Sequence, residues 1–403
     1  MNRYLSWNLM APDTLGVYRP LALSVVDGKG YQLDGDHVGA TRVAPGFPLY
    51  LAAVYRAFGS DVSVWRLGVL NALMRVAVTA LVYVLALRVF GAAAAWCAAI
   101  VHAIDPWEAF WSAFVLKESL AVLLSIAAIA LVARAFATRS WPFALASGFA
   151  IGIAALTRYA TLGLFPWMLL LFAFAAWRST LDRRSLARLA VAATIGLVAA
   201  LAPWLARNRV VLGAPIVDTQ PGYYLYVSNG PGTEKNPDTW GYSGLSTADQ
   251  NNARAIAAGR AGAIDRDTAF FAATLRHVAA HPLQAAGVAA ARFLNMWRPT
   301  FAGASIANRV VLGGFFVLFA VAAIVGCVIG VRPTAARRRD DAFALYWFVL
   351  FYVVLHAAFW SEIRYRQYAT PLLAVFAGAA IASAGRPGRL RYEVPGVHQP
   401  RTA

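Results

Sequence analysis

Val64 to Phe90 reads VWRLGVLNALMRVAVTALVYVLALRVF, and past Gly91 the chain resumes with AAAAWCAAIVHAI, ending at Ile104. A helix rises about 1.5 Å per residue, so the first run is longer than the roughly 30 Å of bilayer hydrocarbon. It reads as a transmembrane helix. The second run is shorter and needs neighbouring residues to cross. Extending the same scan along the chain gives seven more candidate spans: Phe114 to Phe136, Trp141 to Leu156, Tyr159 to Trp177, Leu189 to Ala206, Val310 to Val331, Ala342 to Trp360 and Tyr368 to Ser383. The expectation is an all-α polytopic membrane protein with about nine visible transmembrane helices.

Composition excludes the main alternative. Of the 403 residues, 60% are hydrophobic and 14% charged, whereas soluble domains run near half apolar and about a quarter charged. A soluble fold could not bury that much apolar surface. The formal net charge of +17 would suit a nucleic-acid binder, but the arginines are separated by apolar runs too long for the surface of a soluble basic module. No nucleic acid is expected, and the cations are read as facing anionic membrane lipids. Cys97 and Cys327 both fall inside apolar runs, which leaves neither a disulfide framework nor a cysteine metal cluster.

Loop charge sets the orientation. One set of alternate connections carries Arg88, then Arg134 and Arg139, then Arg178, Arg183, Arg184 and Arg188, then Arg332 and Arg337 to Arg339, with Arg386, Arg389 and Arg391 in the tail. The opposite short loops carry only Lys117, Arg158, Arg364 and Arg366. The positive-inside rule places the first set in the cytoplasm. Of the 19 Asp and Glu residues, only Asp182, Asp340, Asp341 and Glu393 fall on that side. The chain then divides into an outer first loop with an interfacial helix (1–63), a bundle of about six helices (64–206), an outer loop and helical segment (207–309), about three C-terminal spans (310–385) and a cytoplasmic tail (386–403). An inner or plasma membrane location follows, with any chemistry facing the periplasm or exterior. Residues 1–63 should be outside although no apolar run long enough to lead them there precedes them. The expectation is therefore an open reading frame that starts late and lacks a first transmembrane helix.

Several short motifs lie on the outer side. The first loop holds Ala11-Pro12-Asp13, Tyr18, Ala22, Gly28-Lys29-Gly30-Tyr31 and Arg42-Val43-Ala44-Pro45-Gly46-Phe47-Pro48, then an apolar stretch ending Tyr55-Arg56-Ala57-Phe58-Gly59. Pro48 suits a first helical turn, and the stretch behind it is too short to span, so a helix lying on the membrane surface is expected. Further on stand Phe90-Gly91, Asp105-Pro106, Lys117-Glu118-Ser119-Leu120, Leu156-Thr157-Arg158, Ala202-Pro203-Trp204 with Arg207-Asn208, Asn229-Gly230-Pro231, His281-Pro282 and Arg364-Tyr365-Arg366. Each is short, but their order and spacing are specific. Together they resemble the bacterial relatives of the dolichyl-phosphate-mannose protein mannosyltransferases and aminoarabinose transferases, GT-C glycosyltransferases of the family 39 type.

The resemblance covers nearly the whole chain and implies a GT-C helical bundle that takes a sugar from a polyprenyl-phosphate-type lipid donor. The acceptor is a hydroxyl of an unidentified lipid, glycan or protein. A carboxylate in the first outer loop acts as general base, and a single displacement inverts the sugar carbon. Basic side chains neutralise the departing lipid phosphate. Asp13 is the first choice for that base, standing ahead of Tyr18 as the family's loop carboxylate does, with Asp34 and Asp36 as alternatives. An exposed loop aspartate is the plain reading of all three. Arg42 lies near the place where relatives put a donor-phosphate cation. Arg158, in a very tight outer turn, can bind phosphate with both arms of its guanidinium, and Arg207, Arg364 and Arg366 are similar candidates. Their plain reading is as lipid-headgroup anchors.

Lys117 and Glu118, at the outer end of a span, are read as support for the site or as a structural ion pair. Asn71 and Arg75 share one helix face, and an arginine inside a span either faces the protein interior or snorkels. His102 and His356 have no carboxylate or cysteine cluster at metal-ligand spacing, so hydrogen bonding between helices is expected. No metal site is assigned. Some GT-C members use a divalent cation and others do not, which leaves a divalent cation open. In the outer segment, helices are expected over Ala253 to Gly262, Thr268 to Ala280 and Pro282 to Met296, with Tyr223, Tyr224, Tyr226, Trp240 and Tyr242 available to stack on sugars or to form an interface belt. The competing functions are a polyprenyl-lipid or glycolipid transporter, which would favour internal repeats and polar groups at the bilayer midplane, and a non-catalytic scaffold for envelope assembly.

Overall fold

The computed structural model describes residues 13–385 except 179, 232, 234–246, 261, 302 and 332–335. Ala11, Pro12, Trp240, Tyr242, Arg332 and the tail arginines Arg386, Arg389 and Arg391 therefore lie outside the described residues. The helices are α1 (Thr14–Val26), α2 (Gly46–Phe58), α3 (Val64–Phe90), α4 (Ala92–Ala103), α5 (Pro106–Ser112), α6 (Lys117–Thr138), α7 (Trp141–Thr157) and α8 (Tyr159–Trp177). They continue as α9 (Arg183–Leu212), α10 (Pro221–Asn229), α11 (Thr247–Ala257), α12 (Ala263–Ala280), α13 (Pro282–Met296), α14 (Ile306–Gly330), α15 (Ala336–Ala358) and α16 (Thr370–Ala384). A tight 3-10 turn, Ile363–Tyr368, joins the last two. Among the described residues there is no strand, only an isolated bridge between Leu33 and Asp36.

All nine expected spans are helical. Six of them, α3, α6, α8, α9, α14 and α15, are long and apolar enough to cross a membrane. The other three, α4, α7 and α16, have 12, 17 and 15 residues, which at about 1.5 Å per residue falls short of the hydrocarbon thickness. α16 and most of α7 pack inside the bundle, whereas α4 leaves Trp96 and Ile100 exposed. In α16 every side chain from Ala374 to Ala380 is buried. It is tied in by near-contact of backbones, since a Cβ on Gly326 of α14 would lie 1.8 Å from the Phe376 carbonyl oxygen. α7 and α9 approach in the same way: a Cβ on Gly148 would lie 1.9 Å from the Ala193 oxygen, and one on Gly196 would lie 2.0 Å from the Leu145 oxygen. Small residues at such crossings are the usual means of helix packing in lipid, where apolar burial between helices supplies little drive.

Boundaries follow local chemistry. α3 ends at Gly91, whose φ of 91° and ψ of −179° suit glycine alone, and α4 begins on the next residue. The Asp182 side chain accepts from the Ser185 N–H and caps α9. α9 was expected to stop at Ala206, with the outer segment starting at Arg207. It continues through Pro203 to Leu212 and stops where Gly213 turns left-handed at φ 76°. Pro203 does not break it, and the true stop signal is the glycine.

Two helices, α1 and α10, were not expected from the sequence. α1 occupies what was read as open loop, with Leu21 and Ala22 fully buried. α2 forms behind Pro45-Gly46, where a helix was expected, and packs on α1, the rings of Tyr18 and Phe47 meeting edge to face at 5.2 Å. In the outer segment α13 has the expected bounds, but the preceding helices are Thr247–Ala257 and Ala263–Ala280, because the chain turns at Gly259 with φ 74°. α10, with Pro221 in its first turn, is an additional helix that carries Tyr223, Tyr224 and Tyr226.

Candidate functional site

Glu118 sits in the first turn of α6, where the helix dipole favours an acid, and it is 4% exposed. One carboxylate oxygen, Oε1, lies 3.9 Å from Arg158 Nη1 and 4.0 Å from Arg364 Nε, while Oε2 has no hydrogen-bond partner among the described residues. Three chain segments that are distant in sequence thus converge on one acid. Arg158 occupies the extended residue between α7 and α8. Its guanidinium stands 4.1 Å from the centre of the Tyr365 ring and 5.0 Å from that of Tyr368, and it donates to the Tyr368 hydroxyl at 3.2 Å. Burial opposes its charge, but Tyr368, Tyr365 and Glu118 outweigh burial and hold it above its ordinary value. Arg364 is held likewise. Its Nε is 2.8 Å from Glu362 Oε2, and Nη2 donates to the Tyr365 hydroxyl at 3.1 Å.

α1 closes this cluster. Thr14 is completely buried, and its hydroxyl donates to the Val115 carbonyl at 2.6 Å, two residues ahead of Lys117. Asp13, exposed, is fixed beside that point. One turn on, the Tyr18 ring lies under the Lys117 ammonium at 5.6 Å. The Tyr18 phenol is pushed up first by burial, then by Glu118 and Asp13, against Arg364 and Arg158. Four charged groups thus act on a single phenol. The turn before α2 packs against the same corner: a Cβ on Gly46 would lie 2.6 Å from Thr157 Oγ1 and 2.8 Å from the Leu156 carbonyl oxygen, so glycine is what allows Pro45-Gly46 to sit against Leu156-Thr157-Arg158.

The remaining candidates are placed differently. Arg42 is exposed and has no side-chain partner among the described residues. Asp34 is exposed in a left-handed turn at φ 49°, and Asp36, also exposed, accepts from the Val38 N–H at 2.9 Å. Neither acts on the Tyr18 phenol. Arg207 donates to the Tyr31 carbonyl at 2.9 Å and stacks on Trp204 at 4.8 Å, which ties α9 to the first outer loop. Arg366 is 3% exposed, donates to the Arg298 carbonyl at 2.8 Å and lies over Trp107 and Phe316. Arg75 donates from Nη2 to the carbonyls of His102, Ala103 and Asp105 at 3.0, 2.8 and 2.9 Å, which closes the C-terminal end of α4 from the protein interior. Asn71 donates to the Phe114 carbonyl at 2.8 Å. His102 meets Thr79 of α3 at 2.8 Å, a bond between helices as expected, whereas His356 meets Trp360 at the end of its own helix.

Sequence reasoning missed Tyr365 and Tyr368 as the shelf under Arg158, Glu362 as a partner of Arg364, and Asp218. Tyr365 stood inside the quoted Arg-Tyr-Arg motif and could have been found. Asp218, in the connection between α9 and α10, is 9% exposed and accepts from the Gln220 N–H at 3.0 Å. Burial pushes its carboxyl up to about 6, with Gln220 and Lys117 opposing and Asp267 adding. Among the described residues no group of three or more His, Cys, Asp or Glu is placed to hold a metal ion.

Residues 42–206 match the family model described as dolichyl-phosphate-mannose-protein mannosyltransferase. That segment holds α2 to α8 and most of α9, with Arg42, Lys117, Glu118 and Arg158. No curated protein matches the chain. Among solved structures, the chain is similar to the oligosaccharyltransferase AglB from Archaeoglobus fulgidus, in complex with an inhibitory peptide and a dolichol-phosphate. The TM-score is 0.56 at 16% identity over 93% of this chain and 47% of that one. The apo form of the same enzyme aligns with a TM-score of 0.56 at 16% identity, over 94% and 48% of the two chains. ArnT from Cupriavidus metallidurans bound to undecaprenyl phosphate gives a TM-score of 0.41 at 17% identity, over 94% and 74%. The chain spans about half the length of the AglB chain. At these identities the structural likeness is one of fold. The family match thus runs from residue 42 into α9, and the fold is that of AglB along nearly the whole chain.

Proposed function

We propose that the protein is a membrane glycosyltransferase that moves a sugar from a polyprenyl-phosphate-type lipid to an acceptor hydroxyl at the extracytoplasmic membrane surface. The observation that carries this reading is the convergence of Arg158 and Arg364 on Glu118, beside the Tyr18 phenol on which these three groups and Asp13 all act. An acid for the acceptor and cations for a phosphate thus act on the same side chain. In the reaction the Asp13 carboxylate takes the acceptor O–H proton while that oxygen bonds to the sugar carbon. The bond from carbon to phosphate oxygen breaks with its electron pair on the lipid phosphate, so one displacement inverts the carbon. Arg158 and Arg364 stabilise the charge that develops on the phosphate, in a site where burial makes such interactions stronger than in water. AglB was solved with a dolichol-phosphate, and the shared fold supports a related lipid here. Arg42, exposed at the edge of the same corner, suits the incoming headgroup.

The test is transfer by the reconstituted protein from radiolabelled polyprenyl-phosphate sugars. Asp13→Asn should abolish transfer and leave binding of the lipid phosphate intact. Full transfer by that variant would remove Asp13 from the mechanism and return the choice to Asp34 and Asp36. Binding without transfer across a broad donor panel by the wild type would favour a transporter or a scaffold.

A further inference from the structure

The first turn of α6 and the turn Ile363–Tyr368 serve a second place besides the site. α3, α4, α5, α6 and that turn line a partly open cavity of about 20 Å³ whose polar lining is Arg75, His102, Glu108, Ser112, Ser119 and Gln367. A water needs roughly 10 to 15 Å³ by this measure and two to four polar partners. The space suits one water and is far too small for a sugar.

The lining supplies those partners. His102 is 1% exposed, and its Nε2 has no partner among the described residues, nor has Arg75 Nε. The one hydroxyl proton of Thr79 goes to the Arg75 carbonyl at 3.0 Å, so at 2.8 Å the same oxygen accepts from His102 Nδ1. In the neutral imidazole this leaves Nε2 as a bare acceptor. Gln367 donates its amide N–H to the Arg364 carbonyl at 2.9 Å, which turns its own carbonyl oxygen to the remaining side. Glu108 is 7% exposed and forms no ion pair within 4.0 Å among the described residues. The charged groups acting on it are Asp105 from its own segment, Arg75 from α3 and Arg366 from the turn.

We propose that this cavity binds a single water, which accepts from Arg75 Nε and from the protonated Glu108 carboxyl and donates to His102 Nε2 and the Gln367 carbonyl oxygen. Two donors and two acceptors satisfy the water completely. The site depends on the proton of Glu108, because an ionised carboxylate would bring a third acceptor and no donor. Burial first, then Asp105, pushes the Glu108 carboxyl up to about 8, with Arg75 and Arg366 opposing, so the proton is in place at neutral pH. Through Gln367 the water braces the turn that carries Arg364.

Two measurements on the full chain in lipid nanodiscs test this, and neither requires the proposed transferase activity. An experimental density map fine enough to show waters should hold a peak within hydrogen-bond distance of His102 Nε2 and Arg75 Nε, and a cavity without one overturns the water site. The folded protein keeps the Glu108 proton to about pH 8, whereas the unfolded chain loses it near 4.5. Stability contributed by this group is therefore full at low pH, falls as pH rises through that window and levels off above it. The unfolding midpoint of the wild type should fall between pH 4.5 and about 8 by more than that of Glu108→Gln, and superimposable profiles overturn the proton dependence. Should Glu108→Gln fail to fold, the wild-type map still decides the water.

Discussion

Arg158 shows what a single residue does in this site. Its guanidinium is flat and lies on one tyrosine while bonding the hydroxyl of another, and its nearest carboxylate, that of Glu118, is 3.9 Å away. The charge is thus held without a close ion pair, which leaves donors able to turn to a phosphate. A lysine would keep the charge but not the planar stack or the forked donors. Arg158→Lys should lower kcat/KM for the lipid donor by about tenfold, and Arg158→Gln by about a hundredfold or more. The Gln variant also leaves Glu118 with one cation at about 4 Å instead of two, which should lower the unfolding midpoint. Adding Glu118→Gln to it should restore much of the unfolding midpoint but none of the activity. A double variant as unstable as Arg158→Gln would show that the pair does not couple. The arginine itself was legible in the sequence, because a cation in a two-residue turn between spans has nowhere to go but the membrane surface. Its partners were not. Tyr368 lies 210 positions away, and nothing in local pattern reports a contact made across the bundle.

Among the elements, hydropathy marked every long helix because a span must be apolar on all sides, and that pattern survives without knowledge of its neighbours. α1 and α10 escaped for the opposite reason. They are short, mixed in composition and helical through what they pack on, as with Leu21 and Ala22 of α1. The three short apolar helices were legible as helices, but the enclosure of α16 and the close crossing of α7 with α9 were not, since both follow from glycines meeting backbone across a crossing. Gly196 tests that account. A single methyl group there would lie 2.0 Å from the Leu145 carbonyl oxygen, so Gly196→Ala should force α7 and α9 apart and destabilise the protein by about 1 to 3 kcal/mol or more. Gly68, in α3, has nothing within 4 Å of a Cβ position. Gly68→Ala should be neutral or slightly stabilising, since alanine favours helix over glycine by roughly 1 kcal/mol. Equal unfolding midpoints for the two variants would sink the close-contact account of α7 and α9.

On the scale of the whole molecule, the ion pairs keep the two sets of loops apart. Arg88 pairs with Asp341 at 3.3 Å and Arg139 with Asp182 at 3.9 Å, all four from the arginine-rich set. Among the described residues, Glu118, Arg158, Glu362 and Arg364 form ion pairs with one another. The alternation read from loop charge therefore corresponds to two ends of one bundle, with the candidate site at the end poorer in arginine. Which end faces outward rests on the positive-inside rule, and that rule acts during insertion, so it leaves no mark in the packing. Labelling settles it directly. With Cys97 and Cys327 replaced by alanine, single cysteines are introduced by Ser60→Cys, at an exposed position between α2 and α3, and by Thr180→Cys, at an exposed position between α8 and α9. A membrane-impermeant maleimide applied to intact cells should label the Ser60→Cys protein and leave the Thr180→Cys protein unlabelled until the membrane is permeabilised. The reverse pattern, or labelling of both in intact cells, would turn the site to the cytoplasm in some or all molecules. A reaction at the extracytoplasmic surface would then be untenable as the protein's function.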